Sequence, residues 1–364
     1  MKHIPILAIL AMLLLAACSI GQTTTETQYK FGAVLPLTGT NAFYGEFARA
    51  GLELAIEDIN NAGGINGRPV RMIYEDSGGD RARATTAAQK LVDIDAVDAL
   101  FTITTPMGGA VAPVAEAAKV PFIYGSATNS FAENKTYVFK DYPDASDECE
   151  MLMEQAMKEH EKIAMFGTDA EFTRLCKQGA ERVGKLTLFE TYPPGESDFK
   201  TQLTKIKNSE STALLVLAFS NDCKHSFKQL RELGVQTQLY LPFQAFGCGS
   251  PDNTKESADL LANAYGAEIA LDENSTDPAF VAFKKRLEEH GWTTQIRGSA
   301  VMYDSVMSMA KAHQGCTDKA CVANNLRNLN NYQGISGTIS YNGKQTVTRE
   351  FWLTHFDGTW RKAQ

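Results

Sequence analysis

The stretch from Lys30 to Asn61, KFGAVLPLTGTNAFYGEFARAGLELAIEDINN, has the pattern of a strand, a loop and a helix in succession. Its apolar start ends at a proline, which predicts a short buried strand at 30–36. Apolar residues then recur at helical spacing from Tyr44, which predicts a helix at 44–61. The Ala62-Gly63-Gly64 that follows is typical of a helix end.

The same alternation continues along the chain. Further strands are predicted at 69–75, 99–102, 120–124, 162–166, 186–191, 213–218 and 238–242. Helices are predicted between them at 81–93, 106–118, 146–160, 172–184, 199–208 and 223–233. Strands separated by helices indicate parallel sheets with helical crossovers. Because the pattern restarts near the middle of a 364-residue chain, it predicts two α/β lobes.

The last third of the chain does not have the pattern of a third lobe. It contains predicted helices at 278–290 and 299–314 and predicted strands at 338–341 and 351–355. We expect these elements to be shared between the two lobes, with the strands as antiparallel additions and the chain crossing more than once.

The amino terminus has the pattern of an export signal. Lys2 and His3 precede an apolar run, Ile4 to Ala17, that is shorter than the roughly 20 residues of a membrane span. The run ends in Leu15-Ala16-Ala17-Cys18, which resembles a bacterial lipobox. We therefore expect a lipoprotein signal peptide at 1–17, a lipid on Cys18, a flexible tether at 18–28 and a protein anchored to the extracytoplasmic face of a membrane. A plain signal peptide or a short anchor helix is the alternative.

The balance of acidic and basic residues indicates which classes of partner the chain can bind. The chain has 35 Lys and Arg against 43 Asp and Glu, a formal net charge of −8. Nucleic-acid binding needs a basic surface, so this balance argues against it. A small anionic ligand needs only a local group of donors and stays possible.

An even number of cysteines follows Cys18, which in an exported chain indicates disulfides. They are Cys149, Cys176, Cys223, Cys248, Cys316 and Cys321. The short segment between the last two can turn, so they form the easiest pair, and we expect sequential pairing for the other four. A metal site is the rival interpretation, but there is no C-x-x-C and no ligand spacing among the six histidines. We expect neither a metal nor a cofactor.

Ligands of parallel sheets bind beyond the carboxyl ends of the strands, so the loops that follow strands are the candidate site. After the third strand, Pro106 suits the first helical position and Thr105 the N-cap. The amides of Met107 and Gly108 would then be free to bind an anion. The alternative is that Thr105 only caps its own helix. The loop 125–129 after the fourth strand is small and rich in hydroxyls, a ligand loop or an ordinary polar turn.

A family resemblance is carried by ordered segments over nearly the whole mature chain. They are 31–61, 63–67, 120–123, 126–129, 194–199, 229–234, 303–304 and 334–339. Together they resemble the leucine/isoleucine/valine-binding protein family, the substrate-binding components of ABC importers with the type I periplasmic-binding-protein fold. The resemblance implies an α/β fold with two Rossmann-like, flavodoxin-type lobes, whose parallel sheets are joined by a multi-strand hinge. We expect lobe 1 at 29–143 plus 271–333 and lobe 2 at 144–270 plus 334–364.

The resemblance also implies a function. A monomer would capture a branched-chain or other apolar amino acid, or a related small carboxylate, by closing its lobes around it, and would deliver it to an ABC permease and ATPase complex. Thr105, Ala127 and Thr128 would hold the carboxylate, and Thr104 would line the pocket. The remaining implied contacts are Tyr44, Phe172, Phe219, Ser220, Phe243 and Gln244. For the phenylalanines, core packing is the alternative.

The sequence departs from the family pattern at one place. Amino-acid binders of the family have an acid after the fourth strand of the second lobe to pair with the ligand ammonium, but here residues 241–246 read LPFQAF. Either Asp169, Glu171 or Asp222 substitutes, or the ligand is not a simple amino acid. Each of these acids is otherwise a solvated loop or helix-cap residue.

Other function classes have less support. The chain lacks a G-x-S-x-G elbow, a phosphate-binding P-loop and a G-x-G-x-x-G after the first strand, so we do not expect an enzyme. A lipid-anchored hydrolase is the remote alternative. A solute-sensing receptor module with this fold, binding an aromatic carboxylate, amide or urea, is the nearer one.

Overall fold

The computed structural model describes residues 28–39, 41–218, 220–242, 259–292, 295–358 and 360–363. The predicted signal peptide, Cys18 and nearly all of the tether lie outside these residues, as do Phe219, Phe243, Gln244 and Cys248. In the part of the chain that the structure describes, every helix is too short or too polar to cross a lipid bilayer.

The first lobe is built on a parallel sheet. Its described strands are β1 (Tyr29–Leu35), β2 (Val70–Asp76), β3 (Ala99–Ile103), β4 (Phe122–Gly125) and β5 (Val138–Lys140). Their order is β2-β1-β3-β4-β5, and all neighbours run parallel. Helices α1 (Ala42–Asn61), α2 (Arg81–Asp93) and α3 (Thr105–Ala117) connect the first four strands. This is the flavodoxin-type order, which reverses direction between β1 and β3.

The second lobe repeats that order. Its described strands are β6 (Ile163–Thr168), β7 (Leu188–Tyr192), β8 (Ala213–Leu217), β9 (Gln238–Leu241), β10 (Tyr265–Ile269), β13 (Phe351–Phe356) and β14 (Trp360–Lys362). Its described helices are α4 (Ala145–Ala156), α5 (Glu171–Val183), α6 (Lys200–Asn208) and α7 (Ser220–Glu232). The sheet order is β14-β13-β10-β9-β8-β6-β7, parallel from β10 to β7. As expected for the strand predicted at 351–355, β13 is an antiparallel addition, and β14, which was not predicted, pairs antiparallel with it.

Three helices near the carboxyl terminus pack on the first lobe. They are α8 (Pro278–Glu289), α9 (Ile296–His313) and α10 (Lys319–Arg327), and a small antiparallel hairpin of β11 (Tyr332–Gly334) and β12 (Gly337–Ile339) follows. Helix α9 lies against α1 so closely that a Cβ atom at Gly51 would come within 2.1 Å of the Ser299 carbonyl oxygen. Phe280 and Phe283 of α8 complete the same core. The side-chain contacts across β1, α1 and α9 therefore make one continuous core.

The two lobes are joined by several segments of chain. Among the described residues the chain passes between them after β5, between β10 and α8, and between β12 and β13. The predicted fold of two parallel-sheet lobes with a multi-strand hinge is therefore confirmed. The exact lobe boundaries stay a prediction. Ile339 and Tyr341 are fully buried in the first core, which favours a third boundary after 341 rather than at 334.

The prediction missed short elements. Strands β5, β10, β11 and β14 and helix α10 have no counterpart among the predicted elements. Four of these five are 3 to 5 residues long, which is too short for a periodic pattern to appear. The helix predicted at 146–160 ends at Ala156 instead. His160 leaves the helix, and its ring nitrogens contact the Thr212 hydroxyl at 2.9 Å and the Gln238 amide oxygen at 2.8 Å.

The disulfides follow the predicted sequential order as far as the described residues extend. Cys149 of α4 pairs with Cys176 of α5, and Cys316 pairs with Cys321. Cys223 is also disulfide-bonded, and its predicted partner Cys248 lies outside the described residues. The first disulfide joins the helix that begins the second lobe to the helix that carries Phe172.

Candidate functional site

The candidate site follows from the topology. Each lobe reverses strand order once, between β1 and β3 in the first and between β6 and β8 in the second. At such a point the loops after the two strands diverge to opposite faces of the sheet and leave a crevice. Thr104 lies in the loop after β3, and the first turns of the helices that follow β1, β3, β6 and β8 contain four more of the ten predicted contacts, namely Tyr44, Thr105, Phe172 and Ser220.

The start of α3 differs from the prediction in three respects. The helix begins at Thr105, with Thr104 as its N-cap and no side-chain capping bond. Pro106 is therefore the second helical residue rather than the first. The Gly108 amide is not free, because it donates to the Thr104 carbonyl oxygen at 2.9 Å. The prediction of Thr105 as N-cap and of Gly108 as a free donor was wrong.

Thr104 has an unusual backbone. Its φ is 76° and its ψ is 146°, a region that β-branched residues rarely adopt. Its amide donates to the Gly125 carbonyl oxygen at 2.8 Å, which joins the ends of β3 and β4. Conformations of this kind cost about 1–3 kcal/mol and persist only where the surroundings enforce them. The strain therefore occurs at the point where the two candidate loops meet.

The Thr105 hydroxyl does not cap its helix but contacts the loop after β4. Its oxygen accepts a hydrogen bond from the Ser126 hydroxyl at 3.1 Å and one from the Ala127 amide at 3.4 Å. The Thr128 amide in turn donates to the Ser126 hydroxyl at 3.4 Å. The two amide bonds are longer than the usual N–H···O range of about 2.7–3.2 Å, and the hydroxyl bond is longer than the usual O–H···O range of about 2.5–3.0 Å, so all three are weak. A carboxylate oxygen can therefore replace them and take shorter, charge-assisted bonds from the same donors.

A buried lysine supports this loop. Lys140, at the end of β5, is 1% exposed, and its Nζ donates to the Asn129 amide oxygen at 3.0 Å. The Asp144 carboxylate lies 3.4 Å from the same nitrogen. Burial lowers the pKa of Lys140 to about 8, while Asp144 acts in the opposite direction. The charged Lys140 side chain thus contacts the loop 126–129 through Asn129 and is buried rather than exposed in the crevice.

Tyr44 and Asp222 come from opposite lobes. Burial raises the pKa of the Tyr44 phenol above its ordinary value, and the negative charge of Asp222 adds to the rise. This electrostatic interaction links a side chain of the first lobe to one of the second. Asp222 is in the first turn of α7, directly after β8, and is half-buried. It accepts a hydrogen bond from the Tyr192 hydroxyl at 3.1 Å.

The three acids singled out from the sequence occupy different environments. Asp169 is 62% exposed and pairs with Arg174 at 2.8 Å, so it behaves as a solvated loop residue. Glu171 is half-buried in the first turn of α5, and its charge contributes to the raised pKa of Tyr124 in the first lobe. Asp222 faces Tyr44. Burial raises the pKa of Asp222, and both the Tyr192 hydrogen bond and the charge of His225 oppose that rise.

Phe172 lies in a buried apolar cluster that spans the two lobes. It is 4% exposed and belongs to a cluster of buried side chains that also contains Ala127, although Ala127 follows β4 of the first lobe. The Ala145 amide adds a hydrogen bond to the Ala127 carbonyl oxygen at 3.1 Å. Phe172 is thus part of both the core and the inter-lobe contact. Ser220 begins α7.

Two tyrosines of the site were not predicted. Tyr142 follows β5, is 9% exposed and packs with Ile269 and Val301, where the lobes meet. Tyr192 ends β7 and holds Asp222. Neither belongs to a recognisable motif, and both are placed by pairing between distant strands. A single aromatic residue after a strand is the only signal that could have suggested them. Among the described residues, no group of three or more His, Cys, Asp or Glu side chains is arranged to hold a metal ion.

Comparisons with known proteins extend this description. The profile of the periplasmic binding protein family matches residues 28–360. The Leu/Ile/Val-binding protein homolog 7 of Brucella suis biovar 1 (strain 1330) is 25% identical over 310 residues, which are 79% of this chain and 74% of the relative.

Two solved structures have the same fold. One is the branched-chain amino acid transporter substrate binding protein LivJ of Streptococcus pneumoniae in complex with isoleucine, with a TM-score of 0.81, 20% identity and coverage of 93% of this chain and 100% of that one. The other is a solute binding protein of an ABC transporter from Rhodopseudomonas palustris BisB5 in complex with 3,4-dihydroxy benzoic acid, with a TM-score of 0.79, 20% identity and coverage of 92% and 95%. Because the family profile covers nearly the whole described chain, the protein belongs to the periplasmic binding protein family, as the sequence predicts.

Proposed function

We propose that the chain is the substrate-binding protein of an ABC importer, and that it captures a branched-chain or other apolar amino acid, or a related small carboxylate. The observation that carries this proposal is the cluster of neutral donors where β3 and β4 end. Thr105, Ser126 and the amides of Ala127 and Thr128 share long hydrogen bonds that a carboxylate can replace. A neutral donor set binds an anion without leaving a buried cation in the empty site.

The function requires binding and release but no chemistry on the ligand. Ala127 and Phe172 belong to one buried cluster that spans the lobes, and the charge of Asp222 acts on Tyr44, so both lobes contribute to one crevice. A hinge motion that separates these pairs would admit the ligand. Phe172 and Tyr44 favour a ligand with an apolar part beside its carboxylate.

The two structural relatives support a range of ligands rather than one. The Streptococcus relative holds isoleucine, and the Rhodopseudomonas relative holds an aromatic acid without an amine. Both ligands carry a carboxylate. The donor cluster of the first lobe therefore accounts for the shared part of the ligand, and the second lobe for the difference.

The proposal includes the cellular context. The protein would be exported as a monomer, carry a lipid on Cys18 at the extracytoplasmic face of a membrane, and deliver its ligand to a permease and ATPase complex. In the expression host, Cys18→Ala should abolish incorporation of a labelled fatty acid, while Ser19→Ala should retain it. Labelling that survives Cys18→Ala would contradict the lipid anchor.

The experiment that tests the binding function is calorimetric titration of the oxidised, ligand-stripped protein. Leucine, isoleucine, valine, other amino acids, 4-methylpentanoate and 4-hydroxybenzoate are each titrated. Binding of at least one carboxylate with 1:1 stoichiometry is expected, accompanied by a rise in melting temperature, because a ligand that binds only the folded state stabilises it. Failure of every carboxylate, with amides or urea binding instead, would overturn the carboxylate assignment.

A further inference from the structure

Lys140 lies where two connections between the lobes meet the loop 126–129. It ends β5, directly before the first connection, and is 1% exposed. Its amide donates to the Gln345 carbonyl oxygen at 2.8 Å, and its carbonyl oxygen accepts from the Val347 amide at 3.0 Å. Both partners belong to the connection between β12 and β13. The main chain of Lys140 thus bonds one connection to the other.

The side chain of Lys140 joins the loop 126–129 to the second lobe. Its Nζ donates to Oδ1 of Asn129 at 3.0 Å and lies 3.4 Å from Oδ2 of Asp144, the N-cap of α4. The bond from the Ala145 amide to the Ala127 carbonyl oxygen, at 3.1 Å, joins the same loop to the same helix. The contact between this loop and α4 therefore has a neutral part and a part that depends on the lysine charge.

A purely structural role does not require a lysine at this place. A buried ion pair is often no more stabilising than well-packed apolar side chains of similar volume. The ammonium supplies two things that an apolar side chain would not. It donates a charge-assisted hydrogen bond that orients Asn129, and it places a positive charge beside a loop that would hold an anion.

The surroundings of Lys140 bring its titration close to neutral pH. Burial lowers its pKa to about 8, and the charges of Asp144, Glu148 and Asp147, at the start of α4, oppose that shift. Tyr124 is the register partner of Lys140 on β4, and burial raises the pKa of its phenol, so Tyr124 stays neutral in this range. An anion bound at the neighbouring loop would favour the charged form of the lysine.

We propose that Lys140 is a positioning residue, whose charged side chain holds the loop 126–129 against the start of α4 in the arrangement that binds the ligand. Loss of its proton then weakens ligand capture. The inference rests on the proposed function, because it concerns the loop that would hold the ligand carboxylate. Lys140 does not itself touch the ligand, since it is buried and its Nζ contacts Asn129 and Asp144.

The test measures affinity against pH. Leucine, 4-methylpentanoate and 4-hydroxybenzoate are titrated into the oxidised, ligand-stripped protein at pH 7 and pH 9. Between these values the affinity should fall by about tenfold, because only about one tenth of a lysine with this pKa stays charged at pH 9. The fall should be absent from Lys140→Arg, whose guanidinium stays charged throughout. Titration of the ligand or of other side chains affects both proteins equally, so their difference reports Lys140.

Two further variants complete the comparison. Lys140→Met, which keeps the apolar stem, should lose about 10- to 100-fold in affinity at pH 7. Lys285→Met is the matched control, because it removes a lysine of α8 that is 73% exposed. It should keep the affinity within about twofold and the pH profile of the unmodified protein. Circular dichroism and melting temperature report the folding of each variant separately.

The outcomes distinguish this inference from the proposed function. Parallel pH profiles of the unmodified protein and Lys140→Arg, or full affinity in Lys140→Met, would overturn the positioning role and leave carboxylate capture intact. Binding at pH 8.5 should also take up a proton, measured from the binding heats in buffers of different ionisation enthalpy. That measurement needs no variant, and absence of uptake would contradict the inference even if a variant failed to fold. Absence of binding by every carboxylate at pH 7 would instead overturn the proposed function.

Discussion

The hinge and the ligand loops of this protein use polar groups in opposite ways. At the hinge, the Arg349 guanidinium is 2% exposed and contacts Asp141, which is 0% exposed, at 2.6 and 2.9 Å. At the loops after β3 and β4, hydroxyls and amides share bonds of 3.1–3.4 Å and carry no formal charge. The hinge bonds are short, charged and fixed. The loop bonds are long and neutral, as the proposed carboxylate site requires.

The hinge network extends beyond one ion pair. Nη1 of Arg349 donates to the Ser336 hydroxyl at 2.8 Å, and the Ser336 hydroxyl bonds Asp304. Asp304 also accepts from the Ser336 and Ile335 amides at 2.6 and 2.9 Å. The Ser305 hydroxyl donates to Asp141 at 2.8 Å. Removing Arg349 leaves the buried carboxylates of Asp141 and Asp304 without their cation, which is costly.

The largest expected effect is at the hinge. Arg349→Met should lower the free energy of unfolding by about 3–5 kcal/mol, because it leaves Asp141 and Asp304 buried without their cation. Urea denaturation followed by circular dichroism measures the change. Lys177→Met, which breaks the surface pair with Glu181, is the control and should have little effect. A loss no larger than that of the control would mean that the hinge charges are not needed for stability.

The ligand loops should show the reverse behaviour. Thr105→Ala and Thr128→Ala should each weaken ligand binding by about 10- to 100-fold, since each removes a hydrogen bond to a charged group. The free energy of unfolding should change little for Thr105→Ala, because its bonds are long and the side chain is half-buried. Calorimetric titration and urea denaturation separate the two effects. Thr86→Ala, on the exposed face of α2, should change neither, and unchanged affinity in both loop variants would refute the carboxylate site.

A second buried ion pair at the hinge should make stability depend on pH. Glu268 of β10 contacts Arg297 of α9 at 2.5 Å, and burial raises the pKa of Glu268 to about 7. The folded state then holds a proton that the unfolded chain has released, so stability should fall as pH rises from about 4.5 to 7. Glu268→Gln should remove that part of the dependence, on the order of 1–3 kcal/mol. Denaturation at pH 5 and pH 8 tests this, and identical pH profiles would argue against it.

The smallest expected effect concerns the strained loop. Thr104→Gly should raise the free energy of unfolding by about 1 kcal/mol, because glycine adopts a positive φ without strain and this gain exceeds its entropic cost. Thr86→Gly, within α2, should lower it by about 0.5–1 kcal/mol. Urea denaturation compares the two variants. Destabilisation of both would show that Thr104 is held by favourable contacts rather than by strain.

The fold could be predicted because the patterns that specify its strands and helices lie within short stretches of sequence. The 32 residues from Lys30 to Asn61 already contain the strand, loop and helix that both lobes repeat, and alternation alone indicates a parallel sheet. Strand β10 escaped prediction, because at 265–269 it reads YGAEI, without a periodic pattern. Strand β13 pairs antiparallel with β10, although the two strands are far apart in the sequence. Neither segment contains a local pattern that predicts this register.

The site was predictable only in part. Thr105 and the loop 126–129 were singled out because they follow strands and belong to a family pattern; the structure brings them together, and their ligand role stays a prediction. The roles of Tyr192, Tyr142 and Lys140 depend on residues far away in the sequence, such as the 30-residue separation between Tyr192 and Asp222. Helix N-capping was assigned to Thr105 from its residue type, but the structure uses that hydroxyl across β3 and β4. Residue type predicts what a side chain can do, whereas tertiary contacts decide which partner it takes.

The repeated passage of the chain between the lobes has a mechanical consequence. A body attached by one flexible strand can swivel about any axis, and one attached by two can still twist about the line that joins them. With three attachments, after β5, after β10 and after β12, twisting must stretch at least one strand, whereas bending about their common line does not. The three connections of the described chain thus favour bending about one axis, so that the proposed closing motion would return Thr105 to the same position relative to the second lobe each time.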